Sequence, residues 1–305
     1  MRKIDLAGVQ VPVIGQGTWR MGEDRHQYAR EVAALREGLD LGLSLIDTAE
    51  MYGEGGAEQV VGEAIAGRRD EVFLVSKVYP HNASLQGIQA ACERSLKRLG
   101  CERIDLYLLH WRGRYPLAET VEGFELLRAQ GKIGAWGVSN FDLDDLLELD
   151  QPACCANQVL YNLDARGIEY DLMPWQQRAV MPLMAYCPLS QAGALLHEPT
   201  LLEVAQQHEV TPAQLALAWT IRQDGVIAIP KAVGSAHLRD NAAAASITLS
   251  VDDLALLDAA RARLGVPRGR PGRHKEVVGA PYRAGVARRL NAIRPHTAAE
   301  SAGVN

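Results

Sequence analysis

The chain has 305 residues, 48% hydrophobic and 23% charged, with a formal net charge of −5 at neutral pH. That composition suits one large barrel or two ordinary globular domains and excludes a fibrous or low-complexity protein. No apolar run nears the roughly 20 residues of a membrane span, so no membrane partner is expected. The charge is uneven. Residues 261–305 carry ten Lys/Arg against two Asp/Glu, and the preceding 260 carry 22 against 35. This reads as an acidic domain over residues 1–265 followed by a basic, Gly/Pro/Arg-rich tail over 266–305, whose composition predicts partial disorder. The tail alone gives no sufficient reason to expect a nucleic-acid partner. Five cysteines, an odd number without a C-x-x-C pair, predict reduced thiols in a cytoplasmic protein. The opening MRKIDLAGVQVPVIG lacks the apolar segment of a secretory signal and carries the same expectation. The eight histidines show no metal-ligand spacing, and no metal site is expected.

In chain order, KIDL-AG-VQVPV predicts a small hairpin able to plug one end of a barrel. Eight β-like runs follow: PVIGQGTW (12–19), LSLIDTA (43–49), VFLVSKV (72–78), IDLYLLH (104–110), IGAWGVSN (133–140), ANQVLYN (156–162), MPLMAYCPL (181–189) and VIAIPKA (226–232). Amphipathic segments alternate with them, among them HQYAREVAALREGLDLG (26–42) and SLQGIQAACERSLKRLG (84–100). The second ends in basic residues and Gly100, a helix stop, and in TPAQLALAWTIRQ (211–223) Thr211 and Pro212 mark a helix start. Eight βα units over roughly 250 residues predict an α/β fold, a (β/α)8 TIM barrel with an N-terminal hairpin plug and a C-terminal tail. The rival is a doubly wound sheet. Its support is weak: in GQGTWR (15–20) and GEGGAE (53–58), Arg20 and Glu58 stand where a dinucleotide fingerprint has its third glycine. Neither segment is expected to run directly into a helix.

Barrel enzymes place their chemistry at the C-terminal ends of strands. There the second run carries Asp47, with Tyr52 just beyond; the third carries Lys77 and the fourth His110. A carboxylate buried in LIDTA needs a partner, and Lys77 can supply it. The ammonium would lower the phenol pKa of Tyr52, and His110 would donate to the same substrate oxygen. Singly, these residues read as a capping acid, a rim aromatic, a snorkelling lysine and a structural histidine. Together, on three consecutive strand ends, they make a proton-transfer site.

IDTAEMYG, the lysine of LVSKVYP and the histidine of LYLLHW resemble the catalytic tetrad of the aldo-keto reductases in type, order and context. GVSNF (137–141), NQVLYN (157–162), AYCPLS (185–190) and IPKA (229–232) resemble that family's later motifs, so the likeness spans about residues 9 to 260, most closely to small bacterial members. The resemblance implies NADPH-dependent reduction of an aldehyde or ketone, with NADH a weaker alternative. It implies Asp47, Tyr52, Lys77 and His110 as catalytic residues. Ser139, Asn140 and Gln158 would then meet the nicotinamide amide, and Tyr186 would stack on its ring. Leu189 would lie near the pyrophosphate, Thr18 and Trp19 near a ribose, Lys231 at the 2′-phosphate and Asn241 at the adenine. Trp19, Tyr79 and Trp111, with His110, would wall the substrate site of a monomer.

The pattern departs in three places. Ala232 and His237 stand where many members carry serine and arginine, with Arg239 two residues later, which weakens phosphate recognition. Cys187 replaces a common serine and is expected to be a buried, inert thiol. The basic tail is the third. Two other functions remain open on sequence: a cofactor-sensing or partner-binding subunit on the same fold, and a barrel hydrolase or isomerase using His110 and Asp47.

Overall fold

Ala7 and Gly8, at φ 56° and 80°, turn the chain between β1 (Lys3–Leu6) and β2 (Val9–Pro12), which pair antiparallel. The computed structural model describes residues 1–263, so the tail expected over 266–305 lies outside the described residues. After the hairpin come eight parallel strands in sequence order: β3 (Gln16–Gly17), β4 (Leu45–Asp47), β5 (Phe73–Val78), β6 (Ile104–Leu109), β7 (Ile133–Ser139), β8 (Cys154–Leu160), β9 (Leu183–Tyr186) and β10 (Val226–Ala228). Each overlaps the apolar run expected for it. The sheet closes on itself where Gly15 N donates to Ala228 O at 2.9 Å, Ala228 N to Val13 O at 2.9 Å, and Gly17 N to Pro230 O at 3.0 Å. Sheet order and closure make this a (β/α)8 barrel.

Ten helices alternate with or follow the strands among the described residues: α1 (Tyr28–Asp40), α2 (Gly56–Ile65), α3 (Leu85–Leu99), α4 (Leu117–Ala129), α5 (Leu143–Leu149), α6 (Leu172–Arg178), α7 (Pro199–Gln207), α8 (Pro212–Thr220), α9 (Ser235–Ala244) and α10 (Val251–Arg263). Their ends follow local chemistry. Ser84 accepts from Gly87 N to start α3, and Gly100 at φ 62° ends it. Thr211 and Gln214 form a reciprocal capping box on α8, with Pro212 at its first position. None of the described helices is long and apolar enough to cross a membrane.

The strands are buried on both faces, as parallel strands covered by helices must be, so they read as apolar runs and not as alternation. All six residues of β5 are buried. Inside the barrel, Leu45, Val75, Leu106, Leu108, Ala156, Met184 and Ile227 pack with Leu6 and Val11 of the hairpin. The hairpin therefore closes the interior from one end. One expectation fails at GEGGAE. The segment does run into a helix, since α2 begins at Gly56. Gly53 and Gly56 lie against the chain near Gly22, and Gly55, at φ 92°, against Arg98. A Cβ on Gly22 would lie 2.3 Å from Gly56 C, and one on Gly56 would lie 2.6 Å from Gly22 O.

Candidate active site

Asp47 is the last residue of β4, Lys77 the fifth of β5, and His110 follows β6 directly, its N–H bonded to Val78 O at 3.1 Å. Parallel pairing of adjacent strands brings all three to one rim. Tyr52 joins them from the first turn of a short 3-10 helix (Tyr52–Gly55) in the β4–α2 loop. Lys77 Nζ donates to Asp47 Oδ1 at 2.6 Å, to Thr48 O at 2.9 Å and to Tyr52 Oη at 3.2 Å. An ammonium with neither side chain nor head exposed thus has three oxygen partners. Asp47 has a second, in Gln158 Nε2 at 2.7 Å from Oδ2. The buried pair is fully hydrogen-bonded, the condition under which it can persist in a core. Thr18 ties the neighbouring strand to the same place, donating through both N and Oγ1 to Asp47 O.

Burial pushes the Asp47 carboxyl up and the Lys77 ammonium down, and each partner's charge opposes the other's shift. Burial, then the Asp47 carboxylate, then Cys187, hold the Tyr52 phenol well above its ordinary value. This reverses the lowered value expected from the sequence. Lys77 faces Tyr52 as half of an ion pair, so its charge is largely spent on Asp47 while desolvation of a phenolate remains. Burial and then the Lys77 charge hold the His110 imidazole well below the ordinary histidine range. Its Nδ1 is buried without a protein partner. The site therefore presents a protonated phenol and a neutral imidazole, two hydrogen-bond donors suited to an oxygen gaining negative charge.

Aromatic rings line the approach. The Tyr52 and His110 rings meet edge-on with centroids 5.8 Å apart, His110 and Trp111 lie at 4.8 Å, and Trp111 and Tyr79 meet edge-on at 6.0 Å. Trp19 is half-buried, with the Arg20 guanidinium 4.5 Å above its ring.

The residues expected around a nicotinamide fall at the ends of β7, β8 and β9, on the same rim. Ser139 and Gln158 are buried. Asn140, at φ 60°, has its amide committed: Nδ2 donates to His110 O at 3.0 Å and to Ser139 Oγ at 3.1 Å, and Oδ1 accepts from Tyr186 Oη at 2.8 Å. Leu189 is half-buried against the core. Lys231 is exposed after β10, and His237 is exposed in the first turn of α9, which no side chain caps. That turn keeps backbone N–H groups for an anion beside Lys231, so the residues present fit a phosphate-bearing cofactor. Asn241 is buried on the same helix. Arg239 reaches that same turn, Nη1 donating to Ser235 Oγ at 2.6 Å and lying 3.4 Å from Glu37 Oε1. Cys187 is half-buried, not fully buried as expected, and burial raises its thiol pKa, which favours the protonated form.

Two buried acids near the tetrad were not singled out from the sequence. Glu58 accepts from Ser76 Oγ at 2.7 Å and from Arg98 Nε at 2.6 Å behind Lys77. Glu50 accepts from the backbone N–H of Tyr79 at 2.7 Å. Their signal was an acidic residue interrupting an apolar or strand-end run, the same that marked Asp47.

A family model described as "Aldo/keto reductase family" matches residues 13–262. Methylglyoxal reductase YeaE of Escherichia coli K12 is 56% identical over 268 residues, covering 85% of this chain and 94% of that protein. Glyoxal reductase of Bacillus subtilis is 33% identical over 257 residues, covering 83% and 90%. The crystal structure of an aldo/keto reductase from Klebsiella pneumoniae in complex with NADP and acetate superposes with a TM-score of 0.85 at 52% identity, covering 89% of this chain and 98% of that one. Barrel, rim residues and these likenesses agree, and the chain belongs to the aldo/keto reductase family.

Proposed function

We propose that this protein is an NADPH-dependent carbonyl reductase whose substrates are small α-oxoaldehydes. The observation that carries the reading is Lys77 Nζ held between Asp47 Oδ1 at 2.6 Å and Tyr52 Oη at 3.2 Å. NADPH, when bound, supplies the hydride that reaches the carbonyl carbon. Tyr52 gives its proton to the carbonyl oxygen, and its raised pKa keeps that proton available at neutral pH. His110, neutral, donates a second hydrogen bond and orients the carbonyl. Lys77 replenishes no proton itself; fixed by Asp47, it positions Tyr52 Oη and stabilises the phenolate left after transfer.

Ser139, Asn140 and Gln158 form the floor for the nicotinamide amide and Tyr186 the ring surface beside it. Because Asn140 and Gln158 already bond to His110 O, Tyr186 and Asp47, cofactor binding and tetrad geometry share the same side chains. Thr18 and Trp19 lie toward a ribose, Leu189 toward the pyrophosphate, Lys231 and the first turn of α9 with His237 at the 2′-phosphate, and Asn241 toward the adenine. Trp19, Tyr79, His110 and Trp111 form the substrate wall. The substrate class rests on the similarity to a methylglyoxal reductase and a glyoxal reductase and on an aromatic wall suited to small carbonyls. All five cysteines are free thiols, which supports a reducing, cytoplasmic setting. The catalytic unit is residues 1–265, and since one chain supplies every site residue, the reading takes it as active in the monomer.

NADPH consumption with methylglyoxal, wild type beside Tyr52→Phe, tests this. Turnover should fall at least about a hundredfold in the variant, the scale of general acid catalysis, with NADPH affinity retained. Activity within tenfold of wild type would end the assignment of Tyr52.

A further inference from the structure

Tyr79 and Trp111 lie on two different loops, after β5 and β6, yet one buried carboxylate organises both. Glu50, in the loop after β4, has a side chain only 6% exposed. Its backbone N–H bonds to Lys77 O at 3.3 Å, which places it directly beside the tetrad. Its Oε1 accepts from Tyr79 N at 2.7 Å and from Asn82 Nδ2 at 3.0 Å, and its Oε2 lies 3.5 Å from Arg94 Nη2 on α3. A charged acceptor gripping both ends of a four-residue turn fixes where that turn sits. The fixed turn in turn seats the next loop. A Cβ on Gly113 would lie 2.7 Å from Pro80 Cβ and 2.9 Å from Pro80 O, so the loop after β6 runs flush against Pro80. The rings follow, with Tyr79 meeting Trp111 edge-on and Trp111 packed on His110.

Building on the carbonyl-reductase reading, we infer that Glu50 is a positioning residue for substrate specificity: it holds Tyr79 and Trp111 as a fixed wall that selects carbonyl compounds with a flat, apolar substituent beside the reacting group. Glu50 touches neither substrate nor Tyr52. It governs the wall and leaves proton transfer to the tetrad. The glutamine side chain keeps an oxygen acceptor for Tyr79 N, so it should preserve the wall. Alanine removes the acceptor that Tyr79 N and Asn82 Nδ2 share.

The test compares wild type, Glu50→Gln, Glu50→Ala and Asn82→Ala on methylglyoxal and phenylglyoxal with NADPH. Glu50→Ala should raise KM for phenylglyoxal about tenfold while kcat for both substrates and KM for methylglyoxal stay within about threefold, the signature of lost ground-state binding. Glu50→Gln should match wild type. Asn82→Ala, which removes one donor from a half-exposed loop position and leaves the buried acid intact, should show a smaller shift in the same direction. Equal KM changes for both substrates, a fall in kcat for both, or no shift in either alanine variant overturns the inference. Acrylamide quenching of Trp111, taken as the difference from Trp111→Phe in each background, supplies a readout independent of turnover. It should increase in Glu50→Ala and not in Glu50→Gln; unchanged quenching overturns the role of Glu50. A wild type that reduces neither glyoxal defeats the functional reading instead, and the quenching result still decides the anchor.

Discussion

Asp47 and Gln158 stand on strands four apart in an eight-stranded barrel, β4 and β8, and their side chains meet at 2.7 Å. The bond spans the mouth of the barrel and couples opposite walls through the one acid that also holds Lys77. Gln158→Leu should leave Asp47 Oδ2 buried without its donor, at a cost of about 1–3 kcal/mol. A urea melt read by tryptophan fluorescence measures it, and an unchanged midpoint would show that the cross-barrel bond contributes nothing to stability.

Breaking the ion pair from either side should cost more than removing the pair. Lys77→Met strands a buried carboxylate, and Asp47→Leu strands a buried ammonium; each should lose about 3–5 kcal/mol. The double variant should recover part of that loss, because no unpaired charge remains. Denaturant melts of all four proteins give the coupling. Strict additivity of the two losses would mean that the 2.6 Å contact carries no interaction energy. All three variants should lack turnover.

The direction of the Tyr52 and His110 shifts sets a pH profile. Below its folded pKa the phenol holds the proton that reduction consumes, and that pKa is raised well above about 10. The imidazole stays neutral until the pH falls well below its ordinary value of about 6.5. Reduction should therefore be level between about pH 6.5 and 9. Alcohol oxidation needs the phenolate and should rise with pH over the same interval, about tenfold per unit while the phenol remains mostly protonated. Steady-state rates in both directions with saturating cofactor check this. A limb in reduction centred between 6.5 and 9 would contradict the burial argument.

Lys231→Ala should raise the NADPH dissociation constant about tenfold, roughly 1.4 kcal/mol, and leave the NADH constant nearly unchanged. Arg239 bonds to Ser235 in the same turn but is shared with Glu37, whereas Lys231 is exposed after β10. Fluorescence titration with both nucleotides decides it; equal effects would remove Lys231 from the phosphate.

The barrel was legible because parallel strands covered on both faces must be apolar runs, and the tetrad because Asp47, Tyr52, Lys77 and His110 are improbable polar interruptions at three successive strand ends. Extents were less legible. The run at 12–19 reads as one strand, yet the structure divides it: Pro12 ends β2, Ile14 bridges to Ala228 and β3 is only Gln16–Gly17. The Gln158–Asp47 bond was invisible, since 111 residues of chain separate the partners and nothing local marks a contact across the mouth. The Tyr52 shift was read with the wrong sign for a related reason. Sequence names the neighbouring ammonium but not how fully Asp47 claims it, nor how deeply the ring is enclosed. The helix start inside GEGGAE escaped because Gly53 and Gly56 answer to the chain near Gly22, some thirty residues earlier, and Gly55 to Arg98, some forty residues later.

The barrel's closing seam holds a last consequence. Between Val13–Gly17 and Ala228–Pro230 three backbone bonds complete the ring, and Pro230 has no N–H to return a fourth. Elsewhere β5 registers with β6 over four residue pairs, β6 with β7 over five and β8 with β9 over four. Since β3 also registers with β4 at only Gln16 and Gly17, it is a stave lightly riveted on both sides, and the side chains proposed for the nucleotide flank its seam with β10, Thr18 and Trp19 on one edge and Lys231 on the other. A nucleotide bound as proposed would lie across that seam as a clasp, so the cofactor of the reaction would also brace the barrel wall.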